Sequence, residues 1–154
     1  MNASANVIIR EGTITECIKI SKNIPEFSNN IYEEIDYRQR LFNKQYLILV
    51  AVNHQEIIGF KIGYDRFQDG SFYSWLGGIL PAYRKDGIAL RLAMEQENWA
   101  LKRGFQSIVL KTRNRFRNML IFALKNGFSI EDIEIKENID DNRIILRKNL
   151  IIDK

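Results

Sequence analysis

Apolar residues recur at every second position in some stretches of this chain and at every third or fourth in others, and the changes of spacing predict its elements. Residues 6–11, NVIIRE, read as a first strand. In the following TITECIKISKNI, Ile14, Cys17 and Ile18 share one helical face, and Thr13 with Glu16 has capping-box spacing. After Pro25 a second helix is predicted over 31–42, with Asn30 as its cap. YLILVAV (46–52), the turn NHQE and IIGFKIGY (57–64) make a hairpin. RFQDG then turns into SFYSWLGGIL (71–80), an interior strand whose two glycines predict a bulge or another molecule's backbone lying close. A long amphipathic helix runs from about Ile88 to Arg103 and stops at Gly104. SIVLKT (107–112) is the next strand, and RFRNMLIFALKN (115–126) is a helix with Asn114 as cap and Gly127 as stop. FSIEDIEIK and NRIILRKNL form a closing pair of strands around ENIDDN.

The order β-α-α-β-β-β-α-β-α-β-β implies an α/β fold with a mixed sheet, antiparallel early and with a strand–helix–strand unit in the middle. Without a repeat, low-complexity tract or linker, residues 1–154 read as one domain. A composition that is 45% hydrophobic and 27% charged is that of a globular chain. No apolar run approaches the ~18 residues that would cross a bilayer, so no membrane partner is expected. The start, MNASANVIIREG, lacks the basic and apolar regions of a secretory signal. The single cysteine, Cys17, excludes an intrachain disulfide and suits a reducing cytoplasm; with the single histidine, His54, it makes no zinc site, and no metal is expected. A net charge of +4 favours anionic partners without specifying nucleic acid.

The candidate chemistry sits in YRKDGIALRLA. Gly87 opens a helix whose first amides have no intrahelical acceptor and whose dipole makes that end positive. A glycine there lets the backbone approach a phosphate, Ala89 keeps the next turn small, and Arg84 and Lys85 add positive charge.

This stretch resembles the acyl-CoA-binding motif of the GNAT superfamily of N-acetyltransferases: Arg or Gln, two residues, Gly, one residue, then Gly or Ala. Here it reads Arg84-Lys85-Asp86-Gly87-Ile88-Ala89 and follows the apolar-x-Pro step of ILPAY. A second family signature, basic-x-Gly-Phe at the end of a helix, is similar to LKNGF (124–128), and the element order matches over nearly the whole chain. The resemblance implies the GNAT acyl-CoA N-acyltransferase fold and acetyl-CoA as cosubstrate. Strands 71–80 and 107–112 would splay apart, and backbone around Gly78, Ile79 and Leu80 would pair with the pantetheine arm. Amides from Lys85 to Ala89 would hold the pyrophosphate. Asn114 and Asn118 would contribute from either side of Phe116, where relatives carry an asparagine. An amine of a small molecule, peptide or protein would attack the thioester directly, and a homodimer is expected because family members often pair.

Two family positions depart from the pattern. Ala123 stands where many relatives carry a tyrosine acid, and Ser74 where some carry a glutamate base. Tyr73, Ser74 and, more remotely, Tyr83 are the substitutes, while Glu33, Glu34 and Asp36 of the second helix are candidates to face the acceptor amine. The missing groups also support an alternative, a catalytically weak or inactive CoA-binding sensor or interaction module. RNRFRN (113–118) opens a third reading, RNA binding. At helical spacing Arg113 and Arg117 share a side while Phe116, Leu120 and Ile121 face the core, which suits CoA phosphates better than a nucleic-acid groove. Trp75 and Trp99 read as core, Cys17 as a small buried hydrophobe, and His54 as a solvated turn residue.

Overall fold

Seven strands form one mixed sheet in the computed structural model, which describes residues 6–151. In chain order the elements are β1 (Val7–Glu11), α1 (Ile14–Ser21), α2 (Glu34–Leu41), β2 (Tyr46–Asn53), β3 (Glu56–Tyr64), β4 (Ser71–Ile79), α3 (Ile88–Lys102), β5 (Ser107–Arg113), α4 (Arg117–Lys125), β6 (Ser129–Glu134) and β7 (Arg143–Asn149). The sheet order is β1-β2-β3-β4-β5-β7-β6. Only the β4–β5 pairing is parallel. This is the mixed α/β sheet that the hydrophobic pattern predicts. The first five residues, which belong to the segment read as lacking a secretory signal, lie outside the described residues.

Local chemistry explains most boundaries. The Glu16 amide donates to Thr13 Oγ1 at 3.2 Å and the Thr13 amide to Glu16 Oε1 at 3.0 Å, closing the capping box of α1. Gly104 and Gly127, at φ +88° and +93°, take the left-handed conformation that ends α3 and α4. Two expected caps are corrected. α2 starts at Glu34 and is capped by Glu33, whose amide donates to Asp36 Oδ2 at 2.8 Å, so Asn30 lies outside it. α4 starts at Arg117, and Asn114 does not cap it; its Nδ2 donates to the carbonyl of Ile139 at 2.9 Å instead.

Helices cover both faces of the sheet, each over its own core. Under α3 and α4 lie Leu47, Leu49, Phe72, Ile88, Leu92, Ile108, Leu110, Ala123 and Leu146. Under α1 and α2 lie Cys17, Tyr37, Ile48, Val50, Phe60, Ile62, Tyr64, Tyr73, Trp75 and Val109. Burying each large apolar side chain contributes about 1.5–3 kcal/mol. Burial also pushes the Cys17 thiol up to about 12, as its role of small hydrophobe requires. In α4 the core-facing residues are Met119, Leu120 and Ala123, whereas Phe116 and Ile121, expected inside, are exposed.

Candidate active site

β4 and β5 run side by side only from Ser71–Ser107 to Ser74–Leu110. Beyond that pair β4 continues to Ile79, held on its other side by β3, and β5 continues to Arg113, held by β7. Their facing edges therefore part into a wedge bounded by Trp75–Ile79 and Lys111–Arg113. A bulge helps β4 turn away: its register against β3 shifts between Ile62 and Gly63, leaving Trp75 without a direct partner. The bulge expected in this strand thus falls at Trp75 rather than at the glycines. Gly78 serves the chain's own packing, since a Cβ there would meet Ile24 Cδ1 at 2.9 Å.

The first turn of α3 stands where β4 leaves the sheet. Gly87 is its N-cap at φ +80°, offers no capping side chain, and has nothing within 4 Å of the place a Cβ would take. The first side-on hydrogen bond of the helix is Arg91 N to Gly87 O at 3.1 Å, and Ile88, 1% exposed, anchors the turn in the core. The result is an open, outward-facing row of amides on a positive helix end. Lys85 and Gly87 are exposed, Asp86 and Ala89 partly so. Arg84 departs from expectation. Its Nε donates to the carbonyl of Ile79 at 3.0 Å and its Nη2 to Glu26 Oε1 at 2.7 Å. Arg84 thereby braces the end of β4 against the segment before α2, and the Ile79 carbonyl is engaged.

Strand alternation divides the catalytic candidates. Tyr73 sits beside Val109 and Tyr64 on the α2 side, with ring centroids of Tyr64 and Tyr73 5.8 Å apart. Ser74 sits beside Leu110 on the α3 side. The two therefore cannot serve one proton. Burial raises the Tyr73 phenol, with Arg66 and Arg40 opposing, so the hydroxyl stays protonated at neutral pH. Glu33 is committed to capping α2, and Glu34 Oε1 accepts from Arg38 at 2.7 Å on an exposed helix face. The arginine-rich loop is similarly engaged: Arg113 Nη1 donates to the Asp141 carbonyl at 2.8 Å and Arg115 pairs with the Asp141 carboxylate. Asn114 is tied to the same turn, while Asn118 is exposed on the first turn of α4. Arg113 also lines an open hollow of about 1040 Å³ with Lys136, Asn138 and Ile139.

The profile of the acetyltransferase (GNAT) family matches residues 14–128, which include the wedge, the α3 turn and all of α4. The chain belongs to that family. Among solved structures, the GNAT neighbours include the ribosomal-protein-S18-alanine N-acetyltransferase of Escherichia coli, at TM-score 0.79 and 14% identity, covering 96% of each chain. A GNAT acetyltransferase from Elizabethkingia anophelis with acetyl-CoA bound has TM-score 0.71 and 21% identity over 94% of this chain and 98% of its own. The PaiA N-acetyltransferase of Thermoplasma acidophilum in complex with coenzyme A has TM-score 0.70 and 21% identity over 93% and 98%. No curated protein sequence matches. GNAT membership supports acetyl transfer and acetyl-CoA use as the general chemistry. Among the described residues no helix is long and apolar enough to cross a membrane, and no cluster of His, Cys, Asp or Glu could hold a metal ion.

Ala123, which stands where the GNAT pattern has a tyrosine, is fully buried between α4 and the sheet. One titratable group went unnoticed in the sequence. Lys61, on β3 opposite Leu49 and Gly77, faces α3, and burial lowers its ammonium to about 8, with Glu97 opposing. Glu97 already bonds Lys148 at 2.7 Å. Nearby Gln96 is 1% exposed, and its Nε2 has no hydrogen-bond partner among the described residues. The only signal in the sequence was a lysine inside the otherwise apolar run IIGFKIGY. Below pH 8 Lys61 is charged both folded and unfolded and carries the full desolvation penalty. Between 8 and the ordinary 10.5 the unfolded chain binds a proton that the folded chain does not, so stability rises with pH across that window. Lys61→Met is expected to stabilise the fold at pH 7 by roughly 1–2 kcal/mol, after allowing for the surface water still reaches. The gain should fade towards pH 10.5 in denaturant melts. A pH-independent difference would show that Lys61 is not penalised by burial.

Proposed function

We propose that this protein transfers an acetyl group from acetyl-CoA directly to a primary amine of a small molecule, peptide or protein, in the reducing cytoplasm that the lone buried Cys17 suits. The observation that carries the reading is the wedge between β4 and β5 ending at an uncapped helix start. Both parts fit the donor: an unpaired strand edge for an extended amide-bearing arm, and open amides at Gly87 with no side chain in the way for a pyrophosphate. When bound, acetyl-CoA supplies a thioester already activated towards amines. Amides from Lys85 to Ala89 would hold its phosphates, and the β4 edge near Gly78 its arm; the Ile79 carbonyl is reserved to Arg84, and Leu80, expected to share in this, is spent within the chain, its amide donating to Ile58 O at 2.8 Å and its carbonyl accepting from Tyr83 N at 2.9 Å. The chain's contribution is then proximity and orientation together with hydrogen-bond donors for developing negative charge. Tyr73, protonated on the α2 side, is the candidate proton donor to a departing thiolate.

Neither strand stretch that bounds the wedge, Trp75–Ile79 or Lys111–Arg113, carries a carboxylate, so on this reading the amine sheds its proton to solvent. An alkyl ammonium has a pKa near ~10.4, and only its small neutral fraction would react. With an alkyl amine, log kcat/KM is expected to climb with a slope near one from about pH 6.5 to 9. Thiol release across an amine panel makes the measurement. A plateau beginning near pH 7 would reveal an enzymic base. Thermal stabilisation by acetyl-CoA without thiol release from any amine would favour the binding-only alternative.

A further inference from the structure

Cations from three separate elements lie along one connected set of rings, Trp75, Tyr64, Tyr73 and Phe67, on the α2 side of the wedge. The guanidinium carbon of Arg40, on α2, lies 4.8 Å from the Trp75 ring centroid and 5.4 Å from that of Tyr32. Arg66, in the β3–β4 turn, lies 5.0 Å from Tyr73 and 5.4 Å from Phe67. Lys111 Nζ lies 6.0 Å from Tyr73 and 5.6 Å from Phe67. Lys111 is the first residue of β5 beyond its last pairing with β4, so it stands on the rim of the wedge. All three side chains are partly buried rather than splayed into solvent.

Their surroundings lack the usual counter-charge. Among the described residues none of the three forms an ion pair, whereas Arg10, Arg38, Arg84, Arg115 and Arg147 each close on a carboxylate. The groups facing Lys111 are Arg66, Arg143 and Glu134. Glu134 is shared with Arg143 at 3.8 Å and Lys136 at 3.7 Å. Burial is the largest cause lowering the Lys111 ammonium, followed by Arg66 and Arg143, the mark of a cation held among cations. Ring faces compensate part of that cost. Helices α1 and α2 cover the Tyr73 side over β2 to β4, so this cationic rim opens where the sheet face continues onto β5 and β7. α3 and the amide row occupy the opposite face, which leaves this one to the acceptor.

We infer that the acceptor amine carries a carboxylate, held by Arg40, Arg66 and Lys111 against the wall of Tyr73 and Trp75 while the amine reaches the wedge. The inference rests on the acetyltransferase reading of the site. It reverses the expectation that Glu33 and Glu34 face the acceptor amine, and it gives a selection rule: an acceptor without an anion leaves the three cations without a counter-charge.

The test is calorimetric titration of the full chain, saturated with CoA, with N-acetyl amino acids, each matched with its carboxamide. The acids, which mimic products, are expected to bind roughly tenfold tighter than their amides. Lys111→Met and Arg66→Gln, which keep most of the packing surface, should each remove most of that preference, and Arg66→Gln, outside the wedge, should leave CoA affinity unchanged. Acids and amides binding alike, no acid binding at all, or variants losing acid and amide equally would overturn the inference. The underlying reading fails separately, if no free amine, acid, amide or plain alkyl, releases thiol from acetyl-CoA.

Discussion

Gly87→Asp is expected to reduce acetyl-CoA affinity by about 100-fold or more, some 2.7 kcal/mol, while the protein remains folded. At φ +80° an aspartate costs about 1–2 kcal/mol of backbone strain. The new side chain enters open space, and at an N-cap it can accept from the amides two or three residues on, returning about 1 kcal/mol. Stability should therefore change by no more than about 1 kcal/mol. Binding should not survive, because the carboxylate occupies the anion seat and repels the phosphates. Gly87→Ala shares the strain but not the charge, so it should weaken binding only a few-fold. Calorimetry with acetyl-CoA beside a thermal melt makes the comparison. A folded Gly87→Asp protein with unchanged affinity would place the phosphates elsewhere.

Ala123→Tyr is expected to destabilise the fold by at least about 3 kcal/mol without raising turnover. The position is 0% exposed, and its carbonyl receives the amides of Asn126 and Phe128 at 3.1 and 3.0 Å. A tyrosine would force a ring into a filled core and bury a hydroxyl there, beyond the usual overpacking range of about 1–3 kcal/mol. For a chain of this size that corresponds to a fall in melting temperature of about 6–12 °C. An unchanged melting temperature with faster thiol release would show that the helix presents this position to the wedge.

What could be read from the sequence was whatever depends on near neighbours. The Thr13–Glu16 capping box and the stops at Gly104 and Gly127 are local arrangements, and they stand as read. Asn114 looked like a cap because its type suits one, but a contact 25 residues away claims its side chain. Glu33 went unread because a glutamate cap works only through its partner, Asp36. The Gly87 turn was legible because helix start and glycine are adjacent. The cationic rim was not: Arg40, Arg66 and Lys111 come from a helix, a turn and a strand, and only sheet pairing brings them together. In the sequence each is indistinguishable from a solvated charge. The opposed faces of Tyr73 and Ser74, by contrast, follow from alternation alone.

The last of the seven strands to be made is not the last in the sheet. β7 slots between β5 and β6, pairing with β5 from Ser107–Asn149 to Arg113–Arg143. While the chain emerges from the ribosome, β5 therefore waits with a bare edge on SIVL, an apolar segment suited to pairing with a stranger. Until β7 arrives the far wall of the wedge has no support, so competence to bind the donor comes with the final strand.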